Sequence, residues 1–314
     1  VALTALVGCG NFWTSNTVDL AAVEGAPVKI SQVKMRHSRM IGLSSTPATF
    51  SSGDGPNAVG VEFSVDKVSQ TQPHAGVAAR LSCRVGDRVV VAPVAHDASD
   101  RLASLAAGAS LTGSETFPPS PFAAQIPSIC QADLLYMVRP PLAVRAIGSP
   151  EPDPDAPGPE ANDVALGAVC LAGGTLREGP CTADELPRTP ASARLEVSEV
   201  SAELVPHREG GFGVTATVLI TTGAEAMRDW NVHGRVRCMG DDAAGARPLS
   251  MLAIGRGLAP GESIVGHGST TPSQSWSSEP EACTLGFESA IDGERASLGE
   301  FCLRGGQTTA GACD

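Results

Sequence analysis

The groups with the most chemistry in this 314-residue chain are its nine cysteines, Cys9, Cys83, Cys130, Cys170, Cys181, Cys238, Cys283, Cys302 and Cys313. None falls in a CxxC, a CxxCH or a paired CxxC array, so the spacing offers no zinc ribbon, no thioredoxin-type dithiol and no c-type haem attachment. No GxSxG, HExxH, P-loop or GxGxxG is present either. The six histidines (His37, His74, His96, His207, His233 and His267) are scattered, and they read as surface residues rather than metal ligands. In Met35-Arg36-His37-Ser38-Arg39-Met40, thioether and imidazole would suit Cu(I), but two interposed arginines disfavour a cation. Gly266-His267-Gly268-Ser269 is the kind of run that forms an oxyanion loop; without a nucleophile elbow it reads as a turn. Asp87 and Asp241-Asp242 follow Cys83 and Cys238 beside glycine. Calcium requires six or more oxygens, so these are turn aspartates. The sequence therefore assigns no catalytic residue, no metal site and no cofactor, and the chain reads as a non-enzyme.

Two contact candidates remain. Ser149–Asp163 carries Glu151, Asp153, Asp155, Glu160 and Asp163 among prolines; it reads as a solvated spacer or a surface for a basic partner. Trp276 sits in a Ser-rich turn and is expected as an exposed contact residue, whereas Trp230, just before a strand, is expected in the core. A net charge of -12 and a pI near 4.9 leave no basic face for phosphates, which argues against a nucleic-acid partner. Well-separated cysteines in a chain with 35 Gly and 24 Pro fit disulfides and an oxidising compartment.

The first residues, VALTALVGC, resemble the lipobox at the end of a bacterial lipoprotein signal peptide, with a small residue before Cys9. That resemblance implies a lipid on Cys9, membrane contact through that lipid alone, and a cell-envelope or extracellular location with outer-membrane anchoring. The apolar run is too short to span a bilayer. The alternatives are an N-terminal strand with an incidental Cys, or an apolar strand donated to a neighbouring subunit. Residues 9–26 show no strong period and read as a tether.

Laid on itself, the chain repeats. Val77–Cys83 (VAARLSC) aligns with Val232–Cys238 (VHGRVRC), Leu105–Ser110 with Leu258–Ser263, Cys130 with Cys283, Leu166–Cys170 with Leu298–Cys302, and Cys181 with Cys313, all in the same order. Alternating apolar residues at Val59, Val61, Phe63 and Val65, and at Val214, Ala216, Val218 and Ile220, have the period of half-buried strands. With 4% aromatics and frequent turn residues, each copy reads as about seven short strands. The expected fold is all-β: two tandem immunoglobulin-like antiparallel β-sandwiches from an internal duplication, each disulfide-bonded. The boundaries are 1–8 (signal remnant or apolar strand), 9–26 (tether), 27–181 (domain 1), 182–193 (linker) and 194–314 (domain 2). The acidic segment 149–163 lies between Cys130 and Cys170, so it is a loop inserted in the last hairpin of domain 1. Gly-Gly in CLAGGTLREGPC and CLRGGQTTAGAC lets the chain reverse between two cysteines.

Residues 194–302, with the turn Thr222-Gly223-Ala224-Glu225-Ala226 and then Leu258-Ala259-Pro260-Gly261-Glu262-Ser263, resemble bacterial immunoglobulin-like modules of the CARDB or FxLYD kind. The resemblance implies a cell-surface or envelope spacer or binder. It also implies that the third and sixth strands are antiparallel neighbours, which would bring Cys83 to Cys130 and Cys238 to Cys283. The residues alone leave three pairings open in each domain. The expected function is a non-catalytic envelope lipoprotein that binds a protein partner or scaffolds. One alternative is a subunit of an extracellular filament or surface assembly that self-assembles through its N-terminal segment. The other is a secreted enzyme or metal carrier with an interdomain site.

Overall fold

In the computed structural model the described residues are 14–39, 57–72, 75–92, 102, 104–117, 127–138, 164–207, 210–225, 227–239, 245–250, 253–291 and 294–313. They form seventeen strands and one short 3-10 turn, and no helix among them is long and apolar enough to cross a membrane. The chain is an all-β protein of sandwich type, and it divides into two compact units. Cys9 and the acids Glu151, Asp153, Asp155, Glu160 and Asp163 lie outside the described residues.

In the first unit, β1 (Val28–Arg39), β2 (Asn57–Lys67) and β5 (Ser110–Phe117) make one sheet in the order β1-β2-β5. The other sheet runs β8-β7-β6-β3, from β3 (Ala75–Val85), β6 (Cys130–Val138), β7 (Val164–Ala172) and β8 (Thr175–Glu178). Period-two burial carries the core: Val59, Val61, Phe63 and Val65 are all at most 2% exposed. The second unit contains β9 (Leu195–Pro206), β10 (Phe212–Thr222), β11 (Met227–Cys238), β12 (Arg247–Pro248), β13 (Ala253–Leu258), β14 (Glu262–Ser269), β15 (Ala282–Ile291), β16 (Glu294–Arg304) and β17 (Gln307–Ala310). One sheet reads β12-β11-β15-β16-β17, with β13 also on β11. In the facing sheet β9, β10 and β14 are neighbours. Val214, Ala216, Val218 and Ile220 alternate into a core shared with Trp230, Leu285 and Phe287. The two units thus have corresponding strand orders, β1-β2-β5 with β9-β10-β14, and β3-β6-β7-β8 with β11-β15-β16-β17.

All four disulfides form, Cys83–Cys130, Cys170–Cys181, Cys238–Cys283 and Cys302–Cys313. The first and third each join directly opposite residues of one antiparallel pair, β3 with β6 and β11 with β15. The other two close hairpins whose Gly-Gly pairs have φ of 58° and 79° (Gly173, Gly174) and 57° and 76° (Gly305, Gly306). Two consecutive positive φ values are what a two-residue turn matched to strand twist requires, and glycine supplies them without strain.

Three expectations are corrected. The first is the tether. From Thr14 on, its described part is built into the first unit as an extra edge segment: Val18 exchanges two 2.8 Å backbone hydrogen bonds with Val33, and Leu20 is 3% exposed. The Asn16 side-chain amide donates to the Leu176 carbonyl and accepts from the Leu176 N–H, both at 2.8 Å, and so fastens the segment to β8. The Asp19 carboxylate accepts the N–H of Gln32, whose φ of 52° marks the bulge in β1. Leu20 packs over Gly167, where an added Cβ would meet Leu20 Cδ1 at 3.0 Å.

The second is the linker, whose latter part is docked on the second unit. Arg188 Nε bonds the almost fully buried carboxylate of Glu262 at 3.1 Å, and the Ala191 N–H donates to the Thr222 carbonyl at 2.9 Å. A buried carboxylate needs such a partner, because stripping it of water is otherwise costly.

The third is a boundary. Residues Arg84–Val91, expected within domain 1, belong to the second unit. There β4 (Arg88–Val91) lies parallel to β14, with Val89, Val90 and Val91 opposite Glu262, Ser263 and Ile264, and Val91 enters that unit's core. Three consecutive valines fit a strand covered on both faces.

The expected acidic insertion 149–163 lies outside the described residues, between β6 and β7, which pair antiparallel; β7–β8 forms one further hairpin beyond it.

Candidate functional site

Three strands of the second unit present an outer face with a trough. Across β11, β15 and β16 the residues in register form rows: His233, Glu288 and Ser297; Arg235, Gly286 and Glu300; Arg237, Thr284 and Cys302. A register shift between Phe287 and Glu288 at this point bends the sheet. The result is an open cavity of about 530 Å³ lined by Arg235 and Arg237 of β11, Thr284, Gly286 and Glu288 of β15, and Glu300 of β16. A Cβ added at Gly286 would meet nothing within 4 Å, so the floor is deep there because a side chain is lacking. Arg235 Nη2 lies 3.7 Å from Glu288 Oε2, with both side chains well exposed, a geometry that contributes little to stability. The clip Cys302–Cys313 closes one end, and the Cys313 N–H donates to Thr284 Oγ1 at 3.0 Å. Met239, 48% exposed, stands on the rim against Arg304.

The corresponding face of the first unit is filled by its own side chains. Gln131 and Asp133 of β6 occupy the places of Thr284 and Gly286. Gln131 Nε2 donates to Asp133 Oδ1 at 2.7 Å, and Gln131 Oε1 accepts the Cys181 N–H at 2.9 Å. Gln131 is only 7% exposed. The trough thus arises where the second unit exchanges these two residues for Thr284 and Gly286.

Trp276 is not the exposed residue expected from the sequence; it is 6% exposed. Its backbone exchanges hydrogen bonds of 2.7 and 2.8 Å with Phe212, and the Arg247 guanidinium stacks 4.1 Å from its ring centroid. Arg247 Nη1 also donates to the carbonyls of Gln274 and Ser275 at 2.6 and 2.7 Å, so one cation organises the whole turn. Trp230 is 2% exposed in the core, as expected.

The remaining sequence candidates do not converge. Gly266-His267-Gly268-Ser269 is not a turn: it is part of β14, paired with Val218 to Thr215 of β10. His267 Nδ1 lies 3.0 Å from Thr217 Oγ1, and desolvation against the sheet lowers the imidazole below its ordinary pKa. Asp87 is an exposed turn residue beside Arg88. Cys170, Cys181 and Glu185 are the only described cluster of potential metal ligands, but the two sulfurs are joined in a disulfide and offer no thiolate. Glu185 is engaged as well. It accepts the Thr182 N–H and pairs with Arg177, and these contacts, the backbone one foremost, hold its carboxyl below the usual range.

Sequence reasoning missed the trough and the Arg247 clamp. The signal for the first was present: Arg235 and Arg237 alternate onto one face of β11, and glycine stands at 286 where the first unit has Asp133. No protein-family model matches the chain, and no curated protein matches it.

Proposed function

We propose that this protein is a non-catalytic binding and scaffolding module of the bacterial cell envelope, tethered by a lipid on Cys9. In this reading the two sandwiches arose by duplication and serve in the manner of CARDB- or FxLYD-like envelope modules. The reading rests chiefly on the four disulfides, which fit an oxidising compartment outside the cytoplasm. It is further supported by the apolar run ahead of Cys9 and by an exposed trough whose walls carry both signs of charge. The described residues assemble no nucleophile with a base and no ligand set free to hold a metal.

The test is the intact mass of protein recovered from membranes after expression of its full reading frame in a Gram-negative host. The expected result is a lipid adduct on Cys9, loss of residues 1–8, and eight cysteines unreactive to alkylation until reduced. Retention of residues 1–8 with an unmodified Cys9 overturns the lipid anchor and supports the assembly-subunit reading in its place.

A further inference from the structure

We infer that the trough on β11, β15 and β16 is a seat for the carboxylate of an aspartate or glutamate side chain presented by a protein partner, bound where the first unit holds its own Asp133. This inference rests on reading the chain as a binding module.

The two units supply the comparison. Asp133 is three residues beyond Cys130 and faces Arg80 across the β3–β6 ladder. Gly286 is three residues beyond Cys283 and faces Arg235 across the β11–β15 ladder. The cystine, the arginine and the strand register are therefore the same in both places. In the first unit the chain supplies the acid, and Gln131 Nε2 orients it at 2.7 Å. In the second the arginine is retained and the acid is missing, and the space in which a side chain would begin is empty out to 4 Å.

The surroundings of that space favour a negative group. Arg237 stands where the first unit has Ser82, one residue before the cystine in each case, so the second unit gains a guanidinium while losing a carboxylate. Arg237 has no hydrogen-bond or ion-pair partner among the described residues, and Arg235 has only the loose contact with Glu288. Two guanidiniums beside a side-chain-free floor present forked donors of the geometry that suits a carboxylate. Thr284 Oγ1 already accepts the Cys313 N–H, so its hydroxyl proton remains to be donated.

The acids of the lining limit the ligand. Glu288 and Glu300 repel a polyanion, so the seat takes one carboxylate whose neighbours are neutral or basic, not an acidic run. The partner is assigned to the peptide class because the first unit's occupant of this place is itself an aspartyl side chain, and because Met239 on the rim offers apolar contact to a flanking residue.

The test is a titration of the folded, disulfide-bonded chain with the blocked peptide acetyl-Gly-Asp-Lys-amide, followed by amide NMR shifts. The Asn analogue and galacturonic acid are run in parallel. The expected result is saturable shifts centred on Arg235, Thr284 and Gly286, at least tenfold weaker binding of the Asn analogue, and weaker binding still of galacturonic acid. Gly286→Asp restores the first unit's arrangement; it should abolish binding while leaving the melting temperature unchanged or raised. Should that variant fail to fold, Arg237→Gln should weaken the Asp peptide at least tenfold with the remaining spectrum intact. Equal affinity for the Asp and Asn peptides, shifts elsewhere, or no shift at millimolar peptide overturns the seat; tighter binding of galacturonic acid overturns the peptide assignment. A lipid-modified Cys9 together with a failed titration would sink this seat and leave the envelope reading standing, and the reverse outcome would do the opposite.

Discussion

Arg247 shows how much a single side chain organises in this protein. It stacks on Trp276 and donates to two carbonyls of the same turn, which a lysine cannot imitate, because it lacks the planar fork. Arg247→Lys is expected to cost about 1–3 kcal/mol, from a lost stack and one lost charge-assisted hydrogen bond. It should also move the tryptophan emission to longer wavelength as water reaches Trp276; an unchanged spectrum would show that the turn is held by the Phe212 pairing alone. Glu185 gives a pH signature. Its folded pKa lies below the ordinary carboxyl value of about 4.5, so its contribution to stability is full above that value and is lost as pH falls through the lower, folded one. Glu185→Gln should therefore be less stable than the parent at neutral pH by an amount that stays constant down to about pH 5. The two proteins should converge in stability as the carboxyl protonates, as followed by urea unfolding across the acid range. A gap that persists at pH 2 would assign the effect to lost packing instead of charge.

At the level of elements, the disulfides differ in what they constrain. Cys302–Cys313 spans 11 residues and Cys238–Cys283 spans 45, so the chain-entropy contributions are about 3 and 4 kcal/mol. Replacing the first pair with serines should lower stability by about that smaller amount and loosen β17. Replacing the second pair, whose sulfurs sit in the core, should cost more than its loop length implies, because two hydroxyls would be buried. Equal losses measured by chemical denaturation would contradict this ordering. These strands and clips were legible in the sequence, because alternation at Val59–Val65 and Gly-Gly between cysteines are local signals. The burial of Trp276 was not, because it depends on Arg247, far from it in sequence and outside any periodic pattern. Nor was the docking of Thr14–Leu20: Asn16 and Asp19 look like loop residues until β8 and the bulge at Gln32 are placed beside them.

Over the whole molecule, the boundaries expected from the sequence and those of the folded units differ at Arg84–Val91. RVVV reads as a strand whichever sheet receives it, and nothing local states that β4 will lie parallel to β14. A fragment spanning 186–314 would therefore lack Val91 from its core and leave the β14 edge unpaired. It should melt lower than the second unit does in the intact chain and should self-associate, since an open edge recruits strands. A peptide covering residues 84–92 added in trans should reverse both effects, as read by calorimetry and light scattering; a monomeric, equally stable fragment would show β4 to be dispensable. β4 also bears on how the protein reaches its native state. A parallel pairing between Val89 and Glu262 is among the least local contacts in the chain, and such contacts form slowly. Before that pairing closes, the outer edge of β14 is open to other strands. Aggregation during refolding is therefore expected to be greatest at that stage, and to fall when the 84–92 peptide is present.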